Sequence, residues 1–189
     1  MSSSTSRRQF LGRTAAIGAR FGVWSSRSPV VRANESVLQG LSAACIGVGG
    51  KGSSDTSHIA EQGVSIVGLC DVDGGTVDKK SREFPDAGKF DDFREMLEKL
   101  GDKIDIVTVS TPDHTHAVAA LKAMQMKKHV YCQKPLTWSI HEARLMRETA
   151  EKMGVVTQMG NQGTSENGLR EAVEVIRSGA IGDVAEVHV

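Results

Sequence analysis

The sequence predicts an α/β protein built on a doubly wound parallel sheet, and three observations carry that expectation. From Leu41 onward, short apolar runs alternate with stretches of helical periodicity. The connections between them are short. The first apolar run ends directly in a cluster of glycines. Strands that alternate with helices join in parallel, and the helices then cover both faces of the sheet.

Each element has its own signal. Ala43 to Val48 reads as the first strand, Val64 to Cys70 as the second and Ile104 to Val109 as the third. His129 to Cys132 and Val155 to Met159 follow as the fourth and fifth. A helix is expected from about Ser54 to Gln62. Phe93, Met96, Leu97 and Leu100 are spaced i, i+3, i+4, i+7 and share one helical face. Ser139 and Glu142 make a capping-box signature before the face of Ile140, Ala143, Met146, Ala150 and Met153. Leu169, Ala172, Val173 and Ile176 repeat the helical spacing, and Gly179 is placed to stop that helix.

Composition narrows the function classes. A chain of 189 residues suits one domain with appendages. Its 39% hydrophobic and 24% charged residues are ordinary for a globular core. The 23 basic side chains balance 23 acidic ones, so charge offers no ground for a nucleic-acid or anionic-membrane partner. Cys45, Cys70 and Cys132 are too few and too scattered for a disulfide framework or a zinc site, and read as small buried hydrophobes. No apolar run reaches the roughly 18 to 20 residues that span a bilayer.

The two ends read differently from the middle. Ser6, Arg7, Arg8, Gln9, Phe10 and Leu11 resemble a twin-arginine export signal, although Arg20 interrupts the apolar stretch behind it. Ala185 to Val189 reads as a strand beginning after the turn at Gly182 and Asp183. Residues 1–40 are therefore expected to be signal and linker, and 41–182 the α/β domain. Residues 183–189 would begin a second, α+β domain, of which only the first strand is present.

The chemistry is concentrated at the strand ends. Gly47-Val48-Gly49-Gly50-Lys51-Gly52 fits G-x-G-x-x-G, directly after a strand and before a helix. Asp71 ends the next strand, 19 residues beyond Gly52. In that context Gly47 permits the tight turn, Gly49 lets a pyrophosphate approach the backbone, and Gly52 allows close helix packing. Free N–H groups at the helix start would hold the phosphates, and Asp71 would accept from the ribose hydroxyls. This is the fingerprint of a Rossmann-type fold holding NAD, with NADP as the alternative. A methyltransferase is the rival user of the same arrangement.

Three further loops fall on the same sheet edge, where such sheets bind ligands. They carry Thr111, Pro112, Asp113, His114, Thr115 and His116; then Gln133, Lys134 and Pro135; then Gly160, Asn161 and Gln162. Taken singly, His114 or His116 is more often a capping or surface histidine, and Lys134 a solvated lysine.

Together, the glycine loop, Cys70-Asp71-Val72-Asp73, Thr111-Pro112-Asp113-His114-Thr115-His116 and Gln133-Lys134-Pro135 resemble the amino-terminal domain of the Gfo/Idh/MocA oxidoreductases. This is the glucose–fructose oxidoreductase and inositol dehydrogenase group. The resemblance runs from about Leu41 to the end. It implies that Gly47, Gly49, Gly52 and Asp71 bind the cofactor and that Thr111, Pro112 and His116 line its nicotinamide side. Gln133 and Asn161 would line the same cleft, and Lys134 would be the catalytic residue of this domain, with no metal. The expected activity is hydride transfer at the CH–OH group of a sugar or polyol in an exported compartment. The alternatives are an NAD-dependent glycosidase of the same family and a non-catalytic cofactor-binding fragment. Homo-oligomers would form only through the second domain. One departure stands out: the family pattern has glutamate before the lysine, and here the residue is Gln133.

Overall fold

The computed structural model describes residues 40–188. The expected export signal lies outside the described residues. The element order is β1 (Ser42–Ile46), α1 (Gly50–Glu61), β2 (Ser65–Cys70), α2 (Gly74–Ser81), β3 (Gly88–Phe90) and α3 (Phe93–Leu100). It continues with β4 (Ile106–Val109), α4 (His116–Gln125), β5 (His129–Gln133), α5 (Ile140–Met153), β6 (Thr157–Gly160) and α6 (Asn167–Arg177). All strand pairs are parallel, in the order β3-β2-β1-β4-β5-β6. The chain reverses its winding between β1 and β4, which places the loops after these two strands side by side at the switch point.

Strand alternation divides the core. In β1, Ala43 and Cys45 face one cluster with Val48, Val64, Ile66, Leu69 and Val77. Ala44 and Ile46 face the other, with Met96, Leu97, Val107, Val109 and Met124. Small residues set the layer spacing. Gly68 lets α3 approach β2 so closely that a Cβ there would lie 2.9 Å from both Leu100 and Met96. In α4, Ala117, Ala119, Ala120 and Ala123 are all buried.

The capping box of α5 is formed as its sequence predicts. Glu142 N donates to Ser139 Oγ at 3.3 Å, and Ser139 N donates to Glu142 Oε2 at 3.0 Å. Gly154 closes this helix in a left-handed conformation at φ 66°, and Gly179 follows α6 at φ 76°.

One expectation needs correction. Ala185 to His188 form no strand and do not join the six-stranded sheet. A strand is held by a neighbour's backbone hydrogen bonds, and apolar character alone does not supply that neighbour. The face of Leu169, Val173 and Ile176 is helical as expected, but α6 buries none of its residues.

Candidate functional site

Helix α1 begins at Gly50, inside the glycine motif and four residues earlier than its apolar pattern suggests. The turn before it is sterically closed to side chains. A Cβ on Gly47, whose φ is 78°, would lie 2.6 Å from the Ser110 carbonyl oxygen, and one on Gly52 would lie 1.8 Å from that of Gly47. Gly49, the N-cap, has no capping side chain, and the first turn carries no acidic residue. The N–H groups that open α1 are therefore left for an anion.

Asp71 sits across from this turn. Its Oδ2 accepts from Val48 N at 3.0 Å and Gly49 N at 3.3 Å, and Oδ1 accepts from Asp73 N at 3.1 Å. The carboxylate thus shapes the loop. A carboxylate has about four acceptor sites, so ribose hydroxyls can share it.

A cavity of about 580 Å³ opens beside the turn, lined by Gly47, Gly49, Asp71, Thr111, Pro112 and His114 among others. Thr111 Oγ1 is buried without a hydrogen-bond partner. An orphaned hydroxyl, uncapped helix N–H groups and glycines with no room for a Cβ are what a dinucleotide site requires, so the residues present fit NAD.

His116 is placed differently from the expectation that it lines the cofactor. Its ring is buried, with Nδ1 2.7 Å from the Pro135 carbonyl oxygen and Nε2 2.7 Å from that of Thr111. Both nitrogens are occupied by backbone, so its role is to hold two loops in place.

Gln133 is also turned inward rather than toward the cleft. It is 5% exposed, and its Nε2 donates to Asp55 Oδ2 at 2.8 Å. Ser110 Oγ donates to the same oxygen at 2.8 Å, and Lys51 Nζ lies 2.9 Å from Oδ1. The Gln162 amide, with its oxygen turned inward, accepts from Lys51 Nζ at 2.8 Å and Gln133 Nε2 at 3.0 Å. Sequence reasoning missed Asp55. Its signal was an acidic residue one helical turn after Lys51, on the side of α1 that packs inward.

Lys134 is exposed at the end of β5, and its peptide bond to Pro135 is cis. No acidic side chain pairs with it among the described residues. Asn161 is exposed in the next loop, where its carbonyl accepts from Thr164 Oγ1 at 2.7 Å. The three cysteines are buried, and burial pushes the thiols of Cys70 and Cys132 up to about 12. They are not nucleophiles near neutral pH. Among the described residues there is no metal-binding cluster, and no helix is long and apolar enough to cross a membrane.

Glycine turn, strand-end aspartate and switch-point cavity define a Rossmann dinucleotide-binding domain. Residues 41–161 match the Gfo/Idh/MocA model, described as an oxidoreductase family with an NAD-binding Rossmann fold, and the chain belongs to that family. A glycosyl hydrolase family 109 protein of Saccharopolyspora erythraea is 31% identical over 95% of this chain and 44% of its own length. An inositol 2-dehydrogenase of Salmonella paratyphi B is 27% identical over 78% of this chain and 45% of its own. Among solved structures, myo-inositol 2-dehydrogenase of Lactobacillus plantarum shares the fold with a TM-score of 0.69 at 24% identity, covering 77% of this chain and 43% of that one. The chain thus spans a little under half the length of these relatives.

Proposed function

We propose that this chain is the NAD-binding part of an exported oxidoreductase that transfers hydride at a CH–OH carbon of a sugar or polyol. The observation that carries the reading is the convergence of the glycine turn, Thr111 and Lys134 on one sheet edge. NAD, when bound, supplies the hydride chemistry. The chain's own groups do the rest. The N–H groups opening α1 would hold the pyrophosphate, and Asp71 would receive the ribose. The orphaned Thr111 hydroxyl completes the cavity wall.

Lys134 is exposed directly after Gln133 with no acidic partner among the described residues, and its ammonium can donate to a substrate oxygen as charge develops there. Such proton handling is typically worth about 10² to 10⁴ in rate. The test is Lys134→Met in the enzyme that carries this chain. kcat should fall at least a hundredfold while NAD affinity holds, and near-normal kcat would reduce Lys134 to a cofactor neighbour.

The glycosyl hydrolase relative, which matches nearly the whole chain, favours a second reading: glycoside cleavage with retained NAD. Polyols should drive net NADH formation under the first reading. Aryl glycosides should be cleaved without it under the second. Binding of NAD with neither turnover would point to a cofactor-holding module. Export rests on Arg7 and Arg8. Replacing both with lysine should keep a tagged protein in the cytoplasm, and unimpaired export would remove that part of the proposal.

A further inference from the structure

Three segments of the site meet at one buried carboxylate, and a fourth closes around it. Asp55, on α1 and 7% exposed, is bonded to Ser110 after β4, Gln133 at the end of β5 and Lys51 on its own helix. The Gln162 amide from the loop after β6 closes the ring through Lys51 and Gln133. The packing leaves little room around the side chain at position 133. Gly160 lies opposite Gln133 in the β5–β6 register, and a Cβ there would lie 2.8 Å from three atoms of that amide. The remaining amide oxygen, Oε1, accepts from the backbone N–H of Lys134 at 3.3 Å.

We infer that Asp55 is a positioning residue for Lys134, acting through Gln133, and that position 133 holds an amide because the site's buried carboxylate resides on Asp55. The chain of contacts is direct. Asp55 accepts from Nε2 and so fixes which end of the amide faces outward. Oε1 is then presented to Lys134 N, where the chain leaves β5. A glutamate at 133 would set two carboxylates about 2.8 Å apart, and like charges at that distance cannot both ionise without a large cost. Lys51 and His58 from α1, Cys45 from β1, Tyr131 from β5 and Glu166 before α6 are the titratable groups around Asp55 among the described residues, and Lys51 is the one in direct contact. Lys51 can neutralise one carboxylate but not two.

This deepens the reading of Lys134 as the proton-handling group, and its test requires neither NAD nor substrate. The experiment is a charge-transfer cycle on the full chain, with Gln133→Glu, Asp55→Asn and the double variant followed by thermal unfolding. Gln133→Glu should lower the midpoint by several degrees at pH 8. The deficit should shrink as pH falls and close below about 4.3, the unfolded glutamate value, where that carboxyl is protonated in both folded and unfolded chains. The double variant, with the carboxylate moved from 55 to 133 and an amide opposite it, should recover most of the midpoint at pH 8. A pH-independent loss, or no recovery in the double variant, would overturn the pairing.

Positioning is read separately, from the ¹³C-methyl resonance of reductively methylated Lys134, assigned by its loss in Lys134→Arg. Asp55→Ala should move that resonance. Val77→Ala, a core substitution on α2, should not. An unmoved resonance in Asp55→Ala, or equal movement in both, would leave Asp55 structural only. If Lys134→Met keeps its kcat while the cycle behaves as stated, the proton-handling role of Lys134 fails and the pairing stands.

Discussion

The imidazole of His116 bridges two loops, with the carbonyl oxygens of Pro135 and Thr111 each 2.7 Å from one ring nitrogen. One segment carries Lys134 and the other the orphaned hydroxyl of Thr111. Only a ring with both nitrogens protonated donates to both carbonyls, and a neutral ring donates to one.

Removing that bridge should cost stability as well as order. His116→Phe fills similar space but takes the ring's donor away from the Thr111 and Pro135 carbonyls, at about 1 to 3 kcal/mol for a group left unsatisfied. The urea midpoint should fall with the slope unchanged. A midpoint equal to that of the unaltered chain would mean water takes the place of the ring.

Two glycines of the motif should separate folding from binding. Gly52→Ala places a Cβ 1.8 Å from the Gly47 carbonyl oxygen, so the turn must open and the chain should be poorly folded. Gly49→Ala meets only Thr76 Cγ2 at 3.2 Å, with Asp71 Oδ2 at 3.7 Å. It should fold, yet bind NAD at least tenfold more weakly by calorimetry, because its methyl stands on the wall of the cofactor cavity. Equal affinity would place the pyrophosphate elsewhere.

Cofactor preference should follow Asp71. The chain should bind NAD more tightly than NADP, since a 2′-phosphate would meet the carboxylate. Asp71→Ala should weaken NAD by tenfold or more, about 1.4 kcal/mol, and narrow the preference. Equal binding of both cofactors by the unaltered chain would remove Asp71 from the ribose.

Acid should loosen the start of α3. The Arg94 side chain and backbone N–H both donate to Asp92 and hold its carboxyl at about 2, below the usual 3.8. A depressed folded-state pKa stabilises above the unfolded value and loses its effect as pH falls from about 4 to 2. Asp92→Ala should therefore destabilise at pH 7 and much less at pH 2. An equal loss at both values would leave Asp92 no electrostatic role.

Much of this organisation was legible in the sequence because it rests on local rules. The strands that begin at Ser42, Ser65, Ile106, His129 and Thr157 were visible as apolar runs, and α5 through its capping box. Helix α4 was missed because Ala117, Ala119, Ala120 and Ala123 are buried around much of its circumference, so no amphipathic period remains. Strand β3 has three residues and α2 is largely polar, so neither carries a periodic signal. The glycine turn and Asp71 were found by motif. The Asp55–Gln133 contact joins residues 78 apart and could be seen only once β5 lay beside α1.

Asp71 has a further meaning for anyone who would redesign this domain. Its carboxylate already occupies the Val48 and Gly49 N–H groups, so the turn is set when the chain folds rather than when nucleotide arrives. Preorganisation of that kind makes binding cheap but couples recognition to architecture. Converting the site to a 2′-phosphate cofactor is then not a one-residue exchange. Whatever replaces the aspartate must welcome a phosphate and still supply an acceptor to the turn, two demands of opposite sign on a single side chain.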